Sequence, residues 1–126
     1  MKMLRCIAVL LMLGASASHA QSVKLADHEI SALLSGNTAL GIWQGVQYRQ
    51  YFAEDGTTIF AQEGTKSALG RWRVDTTADE FQSIWARDTI WEGWYIMEYA
   101  GAFFWVSKST PPTLFKVVEG QKLVAE

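Results

Sequence analysis

From Thr38 onward, turn residues interrupt the chain at roughly ten-residue spacing, and the segments between them are rich in Val, Ile, Thr, Tyr, Phe and Trp, the mark of short strands in series. The segments run Thr38–Trp43, Val46–Phe52, Thr57–Gln62, Leu69–Asp75, Phe81–Arg87, Ile90–Tyr99, Ala102–Lys108 and Leu114–Val118. Two of them alternate with the period of two that a half-buried strand requires. Val46, Tyr48, Gln50 and Phe52 oppose Gln47, Arg49 and Tyr51, and Trp72 and Val74 oppose Arg71 and Arg73. Asp55-Gly56 and Ala100-Gly101 supply hairpin turns, where positive φ is needed. Pro111-Pro112, which cannot donate to a ladder, separates the last two segments. Links this short force neighbouring strands to run antiparallel. The expected architecture is mainly β: an antiparallel meander of about eight strands forming a small barrel or a strongly curved sheet. Closure is favoured, because it removes edges from very apolar strands.

One short helix precedes the strands, over Lys24–Gly36, with Asp27 as its N-cap and Gly36-Asn37 as its stop. Ile30, Leu33 and Leu34 form a single apolar stripe at i, i+3, i+4, which needs the sheet to cover it. Trp94-Tyr95-Ile96-Met97 and Phe103-Phe104-Trp105-Val106 are apolar on both faces, so these strands are expected to be central or covered on both sides.

Residues 1–20 read as a secretory signal peptide, with a positive start at Lys2 and Arg5, an apolar run from Cys6 to Ala15, and a small-residue exit ending at Ala20. The run is too short for the ~20 residues a membrane span takes. No membrane span is expected in the mature form, and residues 21–126 form a single domain in the periplasm or outside the cell. Cleavage would take the basic count from 11 to 9 against 13 acidic residues, a net charge of −4, and would remove the only cysteine, Cys6. The mature domain then has no disulfide and no thiolate, and an acidic exported chain is unsuited to nucleic acid. All 16 aromatic residues lie in it, which supplies the apolar area a domain without disulfides needs.

The residues that bear on chemistry are few. The one mature histidine, His28, sits between Asp27 and Glu29 on a helix, without the convergent N or S ligands a transition metal requires, so no metal and no cofactor are expected. A nucleophile elbow of the G-x-S-x-G type is absent. Glu92 and Glu98 share parity but lie about 20 Å apart along one strand, too far for paired-carboxylate chemistry. No catalytic residue is assigned and the reading is non-enzymatic. Arg71 and Arg73, aligned with each other and with Arg49 on a neighbouring strand, are anion-binding candidates. The alternative is a solvated outer face, which the inward parity of Trp72 and Val74 favours. Trp43, Tyr48, Trp85, Trp91, Trp94, Tyr95 and Trp105 are either core or the wall of a pocket for an apolar or sugar-like molecule. Gln50 shares parity with Tyr48 and Phe52, so its amide faces inward and needs a partner: a ligand, a water or Arg87. Tyr48, Gln50, Trp85, Tyr95 and Trp105 are the ligand-binding candidates.

Two G-x-W triplets, Gly41-Ile42-Trp43 and Gly70-Arg71-Trp72, follow the helix. A helix followed by G-x-W on the first strand resembles the start of lipocalin-like (calycin) barrels, which implies that a Trp closes one end with a basic side chain over it. A second resemblance spans about Leu33 to Trp105. Ser35-Gly36-Asn37-Thr38, Tyr51-Phe52-Ala53-Glu54-Asp55-Gly56, Gly70-Arg71-Trp72-Arg73-Val74 and Phe81 to Trp85 are similar to a family of small secreted alphaproteobacterial β proteins. These are turn and core residues, so that likeness implies a fold rather than an activity.

Together these features lead to two expectations for the exported barrel. The first is binding of an apolar or amphipathic small molecule inside it. The second is contact with an envelope protein partner, as an inhibitor or envelope accessory, through an exposed aromatic surface at the Trp91–Tyr99 hairpin edge.

Overall fold

Tight two-residue links set the topology. Gln44 and Gly45 both adopt positive φ, at 50° and 79°, and so do Ala100 and Gly101, at 50° and 79°; this hand of turn matches the twist of paired strands. A computed structural model describes residues 21–124. The proposed signal segment therefore lies outside the described residues. In chain order the elements are β1 (Val23–Lys24), α1 (Asp27–Leu34), β2 (Thr38–Trp43), β3 (Val46–Phe52), β4 (Thr57–Gln62), β5 (Ala68–Asp75), β6 (Glu80–Trp85), β7 (Glu92–Tyr99), β8 (Ala102–Val106) and β9 (Thr113–Val118).

Every strand from β2 to β8 pairs antiparallel with the next, β8 pairs with β9, and β9 pairs back onto β2 through Thr38↔Val118 to Gly41↔Phe115. The eight strands thus close into a meander barrel, and β1 is a ninth strand added outside the circuit. β6 pairs with β7 only at Glu92–Trp94, and β1 takes up the same edge of β7 further on, at Met97 and Glu98. An eight-stranded barrel has an interior just wide enough to be filled by side chains or to hold one small ligand.

The helix is shorter than the 24–36 span the sequence pattern predicts, because Val23 and Lys24 are drawn into the sheet. Its N-cap is Ala26, not Asp27. Alanine has no side-chain acceptor, and two other residues serve instead. The Glu29 carboxylate accepts the Ala26 N–H at 3.0 Å, and Asp79, from the turn between β5 and β6, accepts the Asp27 N–H at 2.8 Å. This leaves fewer of the orphan donors of a helix start unpaired. Ser35-Gly36-Asn37-Thr38 has a structural role throughout. Gly36 turns the chain at φ 76°, and the Asn37 amide donates to the Leu33 carbonyl. The Thr38 hydroxyl donates to the Gly120 carbonyl and accepts the Lys122 N–H, pinning the C-terminal segment.

The helix caps one end of the barrel. Ile30 and Leu34 are fully buried there, each stabilising the fold by roughly 1.5–3 kcal/mol. They join Leu25, Phe52, Trp72, Phe81, Ile96, Trp105 and Phe115 in one core. Phe52 is its centre, edge-on to Trp72 at 5.6 Å and to Phe81 at 5.5 Å, while Trp105 stacks on Phe115 at 4.3 Å. The outward residues Tyr95, Met97 and Phe104 are half-buried, and their strands β7 and β8 are each paired on both sides within the closed circuit.

Candidate functional site

At the end opposite the helix the barrel interior is not filled. A cavity of about 360 Å³ opens there, within the range of small-molecule sites. Its walls are Trp43, Phe60, Trp85 and Trp94, and it reaches inward to Tyr48, Gln50, Phe81, Ser83 and Trp105. Each of these projects inward by strand parity. Directly paired positions keep one face, so Gln50 and Phe60 are neighbours, as are Phe81 and Trp94, and Ser83 and Glu92. The walls brace one another, with Trp43 edge-on to Trp94 at 6.0 Å, Phe60 edge-on to Trp85 at 6.1 Å and Tyr48 stacked on Phe60 at 5.2 Å.

The two G-x-W glycines make this geometry possible. Gly41 pairs with Tyr48, and a Cβ on Gly41 would lie 2.6 Å from the Tyr48 hydroxyl. Gly70 pairs with Trp85, and a Cβ there would lie 2.7 Å from the indole. Each ring lies over the gap its cross-strand glycine leaves. The tryptophans of the same triplets diverge: Trp43 stands in the cavity wall, whereas Trp72 is core at the helix end, its indole N–H donating to the Ala53 carbonyl at 2.8 Å.

Besides Thr113 and Glu92, three buried polar residues line the cavity, Tyr48, Gln50 and Ser83, and partners fix the orientation of the first two. The Thr58 hydroxyl donates to the Tyr51 carbonyl at 2.8 Å, so at 3.0 Å from Gln50 it can only accept, which points the Gln50 NH₂ at Thr58. The Gln50 carbonyl oxygen then turns to the cavity. Gln50 bonds Thr58 and not Arg87, which lies in the exposed turn after β6 at φ 77°. The Trp105 indole, a donor only, donates to the Tyr48 hydroxyl at 3.1 Å, leaving the phenolic proton free to donate. Burial pushes the Tyr48 phenol above its ordinary value, against the opposing effect of the Trp105 hydrogen bond, so the proton is held. Ser83 is buried, and no partner for its hydroxyl occurs among the described residues. No fully buried side-chain polar atom there lacks a partner, so both the Ser83 hydroxyl and the Gln50 carbonyl reach accessible space. Glu92 at the exposed rim is the one charged residue in the lining among the described residues.

Of the residues singled out from sequence, Tyr48, Gln50, Trp85 and Trp105 come together in this cavity. Tyr95 does not. It has the opposite parity to buried Ile96 and lies on the outer face, with the Lys24 ammonium 4.1 Å from its ring centre. Arg71 and Arg73 are on the outer face and serve separate partners. Arg71 reaches the Asp55 carbonyl at 3.5 Å, while Arg73 donates to the Gln82 amide oxygen at 2.7 Å and covers Trp91 at 3.9 Å. Arg49 lies two strands away and donates to the Lys122 carbonyl. The Trp91–Tyr99 segment is no open edge, since its strand pairs with β6 and β1 on one side and β8 on the other. Ser83, which sequence reasoning passed over, alternates with Phe81 and Trp85 and was identifiable by that parity.

Among the described residues, no group of three or more His, Cys, Asp or Glu is placed to hold a metal ion, and no helix is long and apolar enough to cross a membrane. No family model matches the chain, and no curated protein or solved structure does either.

Proposed function

We propose that this protein is an exported, non-enzymatic binding protein that holds one apolar or amphipathic small molecule in the open end of its barrel. The observation that supports this most is the division of the interior. The helix end is packed with Phe52, Phe81, Ile30 and Leu34, while the other end keeps about 360 Å³ of space between aromatic walls. A domain with this supply of large side chains would ordinarily fill its core, since voids forfeit contacts. Indole and phenyl walls with a few placed polar groups are the usual lining of a small-molecule site. The export part of the proposal rests on the charged start, apolar run and small-residue exit of residues 1–20.

Native mass spectrometry of the protein isolated without denaturation, followed by tryptophan-fluorescence titration with fatty acids, sterols and glycans, tests the binding reading. A retained small molecule, or quenching by one of these classes, is expected. A bare chain mass together with no quenching by any class would remove the proposal.

A further inference from the structure

The inner cavity groups restrict the kind of ligand more narrowly than the walls do. Resting on the binding reading above, we infer that the ligand is an uncharged ring amphiphile that enters polar end first, its head a hydroxyl or carboxamide offering both a donor and an acceptor. Thr58 takes an N–H of the Gln50 amide, which leaves the Gln50 carbonyl oxygen as an acceptor for the head. The Tyr48 hydroxyl has already accepted from Trp105, so its remaining proton donates. Across the interior, the Ser83 hydroxyl can do either. A neutral head with one donor and one acceptor satisfies this set.

Charged heads do not. A carboxylate would place an anion against the Gln50 oxygen and behind the Glu92 carboxylate, with no cation in the lining. A buried anion without a counter-charge is costly even where neutral donors reach it. An ammonium would donate to Gln50 and Glu92 but brings no acceptor to the Tyr48 proton. The space corresponds to about a dozen liquid waters. That suits one or two rings flanked by Trp43, Phe60, Trp85 and Trp94.

Isothermal titration of the full-length protein with naphthalene, naphthylmethanol, naphthamide, naphthoate and naphthylmethylammonium tests this, because the five probes share one ring system and differ in the head. The alcohol and the amide are expected to bind about tenfold tighter than the plain hydrocarbon and the two ions. Ser83→Ala should weaken the alcohol and the amide by roughly three- to tenfold relative to naphthalene, with near-UV circular dichroism confirming the fold. Naphthoate or the ammonium binding as tightly as the alcohol would overturn the head assignment while leaving cavity binding intact. Naphthalene matching the alcohol would do the same. Failure of all five to bind would count against the binding reading itself.

Discussion

The indole nitrogen of Trp105 on β8 donates to the hydroxyl of Tyr48 on β3 at 3.1 Å, a hydrogen bond that crosses the barrel interior between strands that are not neighbours. It marks the boundary between the packed and the hollow halves. On one side Trp105 stacks on Phe115 and tilts against Phe52 and Phe81; on the other both residues line the cavity. Tyr48→Phe strands the indole N–H and should cost about 1–3 kcal/mol in urea unfolding.

The same residue predicts an alkaline signature. The folded phenol has a raised pKa, so its stabilising contribution is fully present below the unfolded value of ~10 and is lost as pH rises through the folded value. Stability should therefore fall between about pH 9 and about pH 11 more steeply in the native protein than in Tyr48→Phe. Urea midpoints at the two pH values measure this. Equal slopes would contradict it.

Acid should act through two turn carboxylates. Asp55 is held below the ordinary carboxylate range chiefly by the Thr57 N–H, and Asp75 by the N–H groups of Thr77 and Ala78. Their stabilising contribution is present above the unfolded value of ~3.9 and lost as pH falls through the lower folded values. The double variant Asp55→Asn, Asp75→Asn should flatten that part of the acid limb, because an amide oxygen accepts the same bonds without titrating. Chemical denaturation at near-neutral pH and at about pH 3 reads the difference.

Glycine substitutions should report on the cavity wall. Gly70→Ala puts a Cβ 2.6 Å from the Ile84 carbonyl oxygen and 2.7 Å from the Trp85 ring, neither of which is a flexible chain end. A loss of roughly 1–3 kcal/mol is expected, with a changed near-UV signal as Trp85 shifts. Gly41→Ala should act likewise on Tyr48.

Asp79→Ala removes the carboxylate that accepts the Asp27 N–H. A loss of about 0.5–2 kcal/mol is expected, as for a lost helix cap. Hydrogen exchange should quicken in Asp27–Leu34 while the β3–β4 ladder keeps its protection.

Strand order and turns were legible in the chain because each strand is bracketed by residues with a physical reason to turn, and because alternation in Val46–Phe52 assigned Tyr48 and Gln50 to one face. Parity is ambiguous where both faces are apolar. Trp94 to Met97 offers no contrast to read, so the pattern does not separate Trp94, which lines the cavity, from Tyr95, which does not. The start of the short helix is not legible either, because Val23-Lys24 carries no signal that β7 will outrun β6 and recruit it. The Asp79 cap joins residues 52 apart in sequence, and the β9–β2 pairing joins the two ends of the barrel. Local pattern contains neither relationship. The roles of Gly41 and Gly70 emerge only once register places each opposite an aromatic ring.

Indole ¹H–¹⁵N spectra recorded during titration with naphthylmethanol test the hollow-end account most directly, because the six tryptophans are distributed over distinct sites. Shifts are expected for Trp43, Trp85, Trp94 and Trp105, which line the cavity, and none for Trp72, bonded to Ala53 in the packed core, or for Trp91 beneath Arg73 on the outer face. Silence from the four lining indoles, or shifts confined to Trp91, would contradict it.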